Sequence, residues 1–236
     1  MSNTYFQFKQ FRVEQEKCAM KVGTDGVLLG AWADVASASR ILDIGTGTGL
    51  ISLMLAQRQP DAQITAIEID EAATQQAQEN FDLSPWTDRL TSHHISLQDF
   101  LKEAGARFDA IVSNPPYFNN SLKNPDKQRS TARHTDTLSY AELMQASSLL
   151  TERGHLSVIL PTQAEEEILD AARQAHLHCS RKTDVRPKIE AAPKRILLEF
   201  RKDFTTTNKS ELTIEIERHV YTPEFKQMTE AFYLDK

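Results

Sequence analysis

Four consecutive residues, Asn114-Pro115-Pro116-Tyr117, gather an amide, carbonyls and an aromatic ring at one point of the chain. They follow Phe108-Asp109-Ala110-Ile111-Val112, an apolar run that reads as a buried strand. Proline has no N–H for a ladder and a fixed φ, so two in a row end that strand. The amide oxygen of Asn114 and the carbonyl of Pro115 can both accept hydrogen bonds from one planar NH2 group. The ring of Tyr117 can stack on the flat ring that carries that group. In open α/β sheets, ligands bind beside such strand ends. The chemistry predicted is work on an amino group of a flat base. A proline-terminated strand with a core tyrosine is the plainer alternative.

A second constellation lies upstream. Asp43-Ile44-Gly45-Thr46-Gly47-Thr48-Gly49 follows an apolar strand and opens a helix, and Glu68 ends the next strand 19 residues after Gly49. Glycines such as Gly45, Gly47 and Gly49 let the backbone turn sharply and approach a ligand. The helix start adds unpaired N–H donors. An acid in the position of Glu68 can accept from both hydroxyls of a ribose. A tight turn explains the glycines alone, and a surface acid explains Glu68 alone; together they predict a nucleoside cofactor. The loop is one residue shorter than the nicotinamide pattern, and Asp43 precedes it. A negative charge there repels a pyrophosphate and suits a cation. Electrostatics therefore favours S-adenosyl-L-methionine, which carries a sulfonium and an ammonium, over NAD.

Other residues join this candidate site with two readings each. Asp99, in Gln98-Asp99-Phe100, could accept from the cofactor's adenine amino group or act as a helix N-terminal acid. Thr24 and Asp25 could touch the cofactor's methionine end or cap a helix. Asn114 counts toward the cofactor site as well as the catalytic one. No metal site is expected: His93-His94 has no carboxylate or cysteine spaced to complete one.

The elements that must position these residues follow from periodicity. Phe6, Phe8, Phe11 and Val13 alternate with polar residues, which predicts a short strand pair or extended arm, and Gly26 to Trp32 a short apolar helix. From Arg40 the chain alternates strand and helix. Strands are expected at 40–44, 63–69, 89–95, 108–113, 155–160, 196–201 and 212–216, and helices at 50–59, 71–81, 140–150, 164–175 and 224–234. This alternation predicts an α/β, Rossmann-like fold: a mostly parallel seven-stranded sheet with an antiparallel strand near the end and helices on both faces. The expected organisation is a single domain over 1–236, with an N-terminal arm and short helix in 1–35 and a catalytic core in 36–236. The polar stretch 118–137 is long for a loop, and long loops tend to be functional.

The chain has 236 residues and a net charge of −6, which argues against a generally basic nucleic-acid coat. Its bases are nonetheless clustered. Residues 121–135 hold four bases and one acid, and residues 181–202 hold eight bases and three acids. A basic face on an acidic body can attract a polyanion locally; a solvated surface is the bland reading. Lys123, Arg129 and Arg133 of the first cluster, and Arg181, Lys182, Arg186, Lys188, Lys194 and Arg195 of the second, are the candidate RNA contacts. No apolar run is long enough to cross a bilayer. The chain's start lacks a signal pattern, and the two cysteines are far apart. A cytoplasmic protein with reduced thiols is expected, and nothing calls for an obligate protein partner.

With these motifs in place, the chain resembles class I S-adenosylmethionine-dependent methyltransferases of the Asn-Pro-Pro-Tyr group, which methylate exocyclic amino nitrogens. The segment Cys18-Ala19-Met20-Lys21-Val22-Gly23-Thr24-Asp25-Gly26-Val27-Leu28-Leu29-Gly30-Ala31-Trp32, with Asn114 to Phe118, is similar to the bacterial tRNA1(Val) (adenine-N6)-methyltransferase family. That resemblance implies tRNA as partner and methyl transfer to N6 of the adenosine 3′ of the anticodon. A protein-glutamine methyltransferase uses the same motif, but usually after a helical substrate domain, and only about forty residues precede the glycine loop here. A DNA adenine methyltransferase would need a target-recognition domain that is not visible. A nicotinamide-dependent oxidoreductase has no use for Asn114 to Tyr117.

Overall fold

A computed structural model describes residues 3–103, 105–116 and 138–234. An antiparallel hairpin, β1 (Tyr5–Gln7) and β2 (Arg12–Glu14), leads to α1 (Thr24–Trp32). Strand and helix then alternate: β3 (Arg40–Ile44), α2 (Leu50–Arg58), β4 (Gln63–Glu68), α3 (Glu71–Asp82), β5 (Leu90–His94), α4 (Leu97–Glu103), β6 (Phe108–Ser113), α5 (Tyr140–Gln145), β7 (Leu150–Pro161) and α6 (Glu165–Gln174). Three strands follow in succession, β8 (His178–Lys188), β9 (Arg195–Arg201) and β10 (Asn208–Glu217), before the short β11 (Val220–Tyr221) and α7 (Pro223–Thr229).

The large sheet has the order β11-β10-β8-β9-β7-β6-β3-β4-β5. Strands β5, β4, β3, β6 and β7 run parallel. β9 is antiparallel to both of its neighbours, β7 and β8. The seven strands from β5 to β8 thus form the expected mostly parallel sheet with its reversed strand. The expected count of seven is exceeded, because β10 and β11 extend the sheet beyond β8.

Strands such as β3 and β9 are buried along nearly their whole length, as strands covered on both faces must be. Successive side chains go to opposite faces. Ile41 joins the core under α1, α2 and the hairpin, while Leu42 joins the core under α5 and α6. The arm is part of the first core through Phe8, Phe11 and Val13. Asn80 of α3 pins it: its amide accepts from Glu14 N at 2.8 Å and donates to Glu14 O at 2.9 Å. The same amide donates to Thr48 O at 2.8 Å, so one side chain holds both the arm and the glycine loop.

Two elements lay outside the expected pattern. β8 has only Thr183 and Val185 fully buried among charged neighbours, and α4 is a seven-residue helix where only a loop acid was expected. The terminal helix ends at Thr229 rather than near Leu234. Among the described residues no helix is long and apolar enough to cross a membrane.

Candidate active site

β3 and β6 end side by side, because Ile44 is paired with Ser113 and the Ser113 hydroxyl donates to Ile44 O at 2.8 Å. With β4 on the other side of β3, the chain order reverses here, which is where an open α/β sheet leaves a crevice. β3 closes on the glycine turn. Gly45, Gly47 and Gly49 have φ of 72°, 55° and 80°, a region that side chains disfavour. Gly49 has a second reason to lack a side chain: a Cβ there would lie 2.6 Å from Cε1 of Phe81. The turn is tied to β4, with Gly45 N and Thr46 N donating to Ile67 O at 2.9 and 3.2 Å.

Glu68 completes that join. Its Oε2 accepts from Gly47 N at 3.0 Å, and its Oε1 accepts from Ile69 N and Asp70 N at 2.8 and 3.1 Å. Asp70 caps α3, accepting from Ala73 N at 2.7 Å. Asp43 is fully buried behind the turn. Its Oδ2 accepts from the hydroxyls of Thr46 and Ser52, both at 2.7 Å, whereas its buried Oδ1 has no hydrogen-bond partner. Burial pushes its carboxyl from 3.8 up to about 6, against the two hydroxyls, with Glu68 adding to the rise.

A cleft of about 260 Å³ opens over these strand ends. Ile44, Ile67, Ile95 and Leu97 give it apolar walls, and Asn114 and Pro115 form part of its margin. Its charged lining among the described residues is acidic, Glu68 and Asp70, with no Lys, Arg or His. Asn114 is partly buried and Pro115 buried. Tyr117 lies outside the described residues, as do Lys123, Arg129 and Arg133.

Residues 23–182 match the methyltransferase small domain. A tRNA1(Val) (adenine(37)-N6)-methyltransferase from Bacteroides thetaiotaomicron is 52% identical over 99% of each chain. One from Phocaeicola vulgatus is also 52% identical, covering 100% of both. The chain belongs to the tRNA1(Val) (adenine(37)-N6)-methyltransferase family. Among solved structures, a predicted O-methyltransferase from Agrobacterium tumefaciens superposes with a TM-score of 0.69 at 19% identity, covering 88% of this chain and 96% of its own. It shares the fold.

Not every candidate residue of this methyltransferase-family chain meets at the cleft. Asp43, Gly45, Gly47, Gly49, Glu68 and Asn114 come together around the ends of β3, β4 and β6. Asp99 does not line the cleft, although Ser96, Leu97 and Gln98 beside it do. Its carboxylate accepts from Lys102 Nζ and Ser96 Oγ, both at 2.8 Å, and these two partners hold it below the usual carboxylate range. Thr24 is the first residue of α1 and not its cap, which is Gly23. Asp25 accepts from Arg195 Nε at 2.7 Å, across 170 residues of sequence.

The second basic cluster is mostly partnered. Arg181 lies 3.7 Å from the Trp32 ring centroid and pairs with the buried Glu199 at 3.0 Å. Lys182 pairs with Glu165 and Asp184, and Arg186 with Glu211. Lys188 and Lys194 are exposed. Sequence reasoning missed one wall of the cleft, Cys18-Ala19-Met20, where no residue type announces binding. Burial, with Glu68 and Asp70 nearby, pushes the Cys18 thiol up to about 11, so it faces the cleft as a neutral group.

Proposed function

We propose that this chain transfers a methyl group from S-adenosyl-L-methionine to N6 of adenosine 37 in tRNA1(Val). The names of its relatives supply the acceptor. The observation that carries the chemistry is the pair Asn114–Pro115 on the margin of a cleft whose described charged lining is acidic.

The residues present fit this cofactor. The apolar walls suit a purine, and the Glu68 carboxylate suits the ribose hydroxyls. The unpartnered Oδ1 of Asp43 leaves negative potential beneath the turn, which favours a cation and opposes a pyrophosphate. Glu68, Asp43 and the turn Gly45–Gly49 would hold it, with Cys18 to Met20 as a lip. When bound, S-adenosylmethionine supplies a methyl on a sulfonium, already activated for in-line transfer to an amine.

The protein's own work is to present the amine. Asn114 Oδ1 and Pro115 C=O accept the two N6 protons, which fixes the nitrogen and opposes delocalisation of its lone pair into the ring. Tyr117 stacks on the base, an interaction worth about 1–3 kcal/mol. Positioning is the main catalytic contribution. The alkylated nitrogen is acidic and loses its proton to water, so no general base is required. Bases of an anticodon loop are partly unstacked, so extruding one costs less than from a duplex.

The direct test incubates purified protein with S-adenosylmethionine and unmodified tRNA1(Val), followed by nucleoside mass spectrometry. N6-methyladenosine at position 37 is expected; an unmethylated product would refute the assignment.

A further inference from the structure

The rim that carries Asn114 is divided by charge. The cleft lies on one side, over the ends of β3, β4 and β5, and its described charges are acids. On the other side the same rim continues through the end of β7, the β8–β9 turn and the β10–β11 turn. β8 and β10 run parallel to β6, and β9 begins where β7 ends, so all these turns rise at the Asn114 end of the sheet. Here stand Lys194, Lys188 and Arg218, all exposed and without an ion pair among the described residues. Neighbouring strands are about 4.8 Å apart, so these cations lie roughly 10, 14 and 19 Å across the sheet from β6. Glu190 and Glu217 are exposed among them, and Glu215 accepts from His219 N at 3.3 Å. Cations interleaved with acids make spaced point contacts rather than a general polyanion sink.

The β8–β9 turn is braced. Lys194 N donates to Val185 O at 2.9 Å, Ala191 N to Lys188 O at 3.1 Å, and Thr162 N to Lys194 O at 3.3 Å. Arg186 donates to Ala191 O at 3.0 Å while paired with Glu211. Arg195 anchors the base of the turn to Asp25 of α1. Ile189, at the tip, is 54% exposed. Four of the six bases read from sequence as RNA contacts therefore hold the platform together, and two stand on it.

We propose that Lys188 and Lys194, with Arg218 further along the rim, hold the phosphates of the anticodon arm flanking the target adenosine, and that Ile189 packs on its sugar backbone. Arg181, Lys182, Arg186 and Arg195 position this platform without touching RNA. The inference rests on the tRNA reading above. It commits to nucleic acid because the cations are spaced along a line leading from the amino-group site, as phosphates are along a strand. Interleaved cations of this kind set register on the backbone and carry no base specificity.

The test compares Lys188→Gln/Lys194→Gln, then the same with Arg218→Gln, against Arg153→Gln/Lys209→Gln, which removes two exposed cations from the opposite rim. KM for tRNA1(Val) is measured over a range of salt. The first double variant should raise KM about tenfold at physiological salt and flatten the log–log salt slope by about 1.4, the value for two phosphate contacts on a single strand. Adding Arg218→Gln should flatten it further. The opposite-rim variant should change neither. Unchanged kcat at saturating tRNA and unchanged S-adenosylhomocysteine binding would show the variants folded, and Lys188→Arg/Lys194→Arg should keep the wild-type KM. If wild type methylates the tRNA and the double variant has its KM and slope, the platform is not the RNA contact. If wild type methylates no tRNA, the functional reading fails and takes this inference with it.

Discussion

Glu68 accepts the backbone N–H of Gly47 at 3.0 Å, so the acid that ends β4 and the turn that ends β3 are one hydrogen-bonded unit. The carboxylate also accepts from Ile69 and Asp70. It therefore builds the crevice as well as facing it. A carboxylate has about four acceptor sites; three are in use, and the remainder is turned to the cleft.

Glu68→Gln tests this double role. The variant keeps the shape, removes the charge and puts an NH2 where an N–H must be accepted. Affinity for S-adenosylhomocysteine should fall about 10- to 100-fold, and stability should fall by about 1–3 kcal/mol, the range for charge-assisted hydrogen bonds. Calorimetry and urea unfolding read the two effects separately. A variant with native affinity and stability would show that Glu68 does neither.

The buried Asp43 makes the site sensitive to pH. Its carboxyl is raised from 3.8 to about 6 in the folded state, so the native protein binds its proton more tightly than the unfolded chain. The contribution of Asp43 to stability is thus most favourable below pH 4 and is lost as pH rises from about 4 to 6. The loss is about 3 kcal/mol at one pKa unit per 1.36 kcal/mol. A cationic ligand favours the ionised form, so S-adenosylhomocysteine, with its ammonium, should bind several-fold more weakly at pH 5 than at pH 7. Asp43→Asn should flatten both profiles. Isothermal titration in two buffers of different ionisation enthalpy should also show proton release on binding in wild type alone. A flat wild-type profile would remove Asp43 from the cofactor's electrostatics.

These features were legible in the sequence because each is local or set by strand alternation. The glycine turn, the acid one βα unit later and the proline pair each need only neighbours along the chain. β8 was not legible for the opposite reason. Its Arg181, Lys182 and Arg186 look like a solvated basic run, yet their stems cover apolar surface while their heads meet Glu199, Glu165 and Glu211. Counting charge over a window of sequence could not find acids supplied by a distant helix and strand. Asp99 misled in a similar way: its spacing suited a purine amino group, and a lysine one helical turn later took its carboxylate.

Gly49 and Gly45 share a positive φ but differ in surroundings, and that difference should appear in stability. At Gly45 a Cβ would meet nothing within 4 Å, so Gly45→Ala carries backbone strain alone, about 1 kcal/mol. At Gly49 the Cβ would run into the Phe81 ring, adding an overpacking cost of about 1–3 kcal/mol. Urea unfolding should place Gly49→Ala well below Gly45→Ala. Phe81→Leu should recover part of the Gly49→Ala loss, giving a non-zero coupling in a double-mutant cycle. Equal losses for the two alanine variants would contradict the packing of α3 on the turn.

Asn114 separates binding from chemistry. It stands on the margin of the cleft, on the strand next to the glycine turn, and presents its amide to the acceptor base in the proposed reaction. Asn114→Ala should therefore leave S-adenosylhomocysteine affinity within a few-fold of wild type and lower kcat by about 100-fold or more, the scale expected when a reacting group loses its alignment. Asn114→Asp keeps an acceptor but adds a third carboxylate to the two that already line the cleft. It should lower kcat less than alanine does and tighten the grip on a cation. Single-turnover transfer to tRNA1(Val), read beside cofactor titrations, separates these outcomes. If alanine instead raised only the tRNA KM, with kcat intact, Asn114 would be a docking residue, and presentation of the amine would fall to Pro115 and Tyr117.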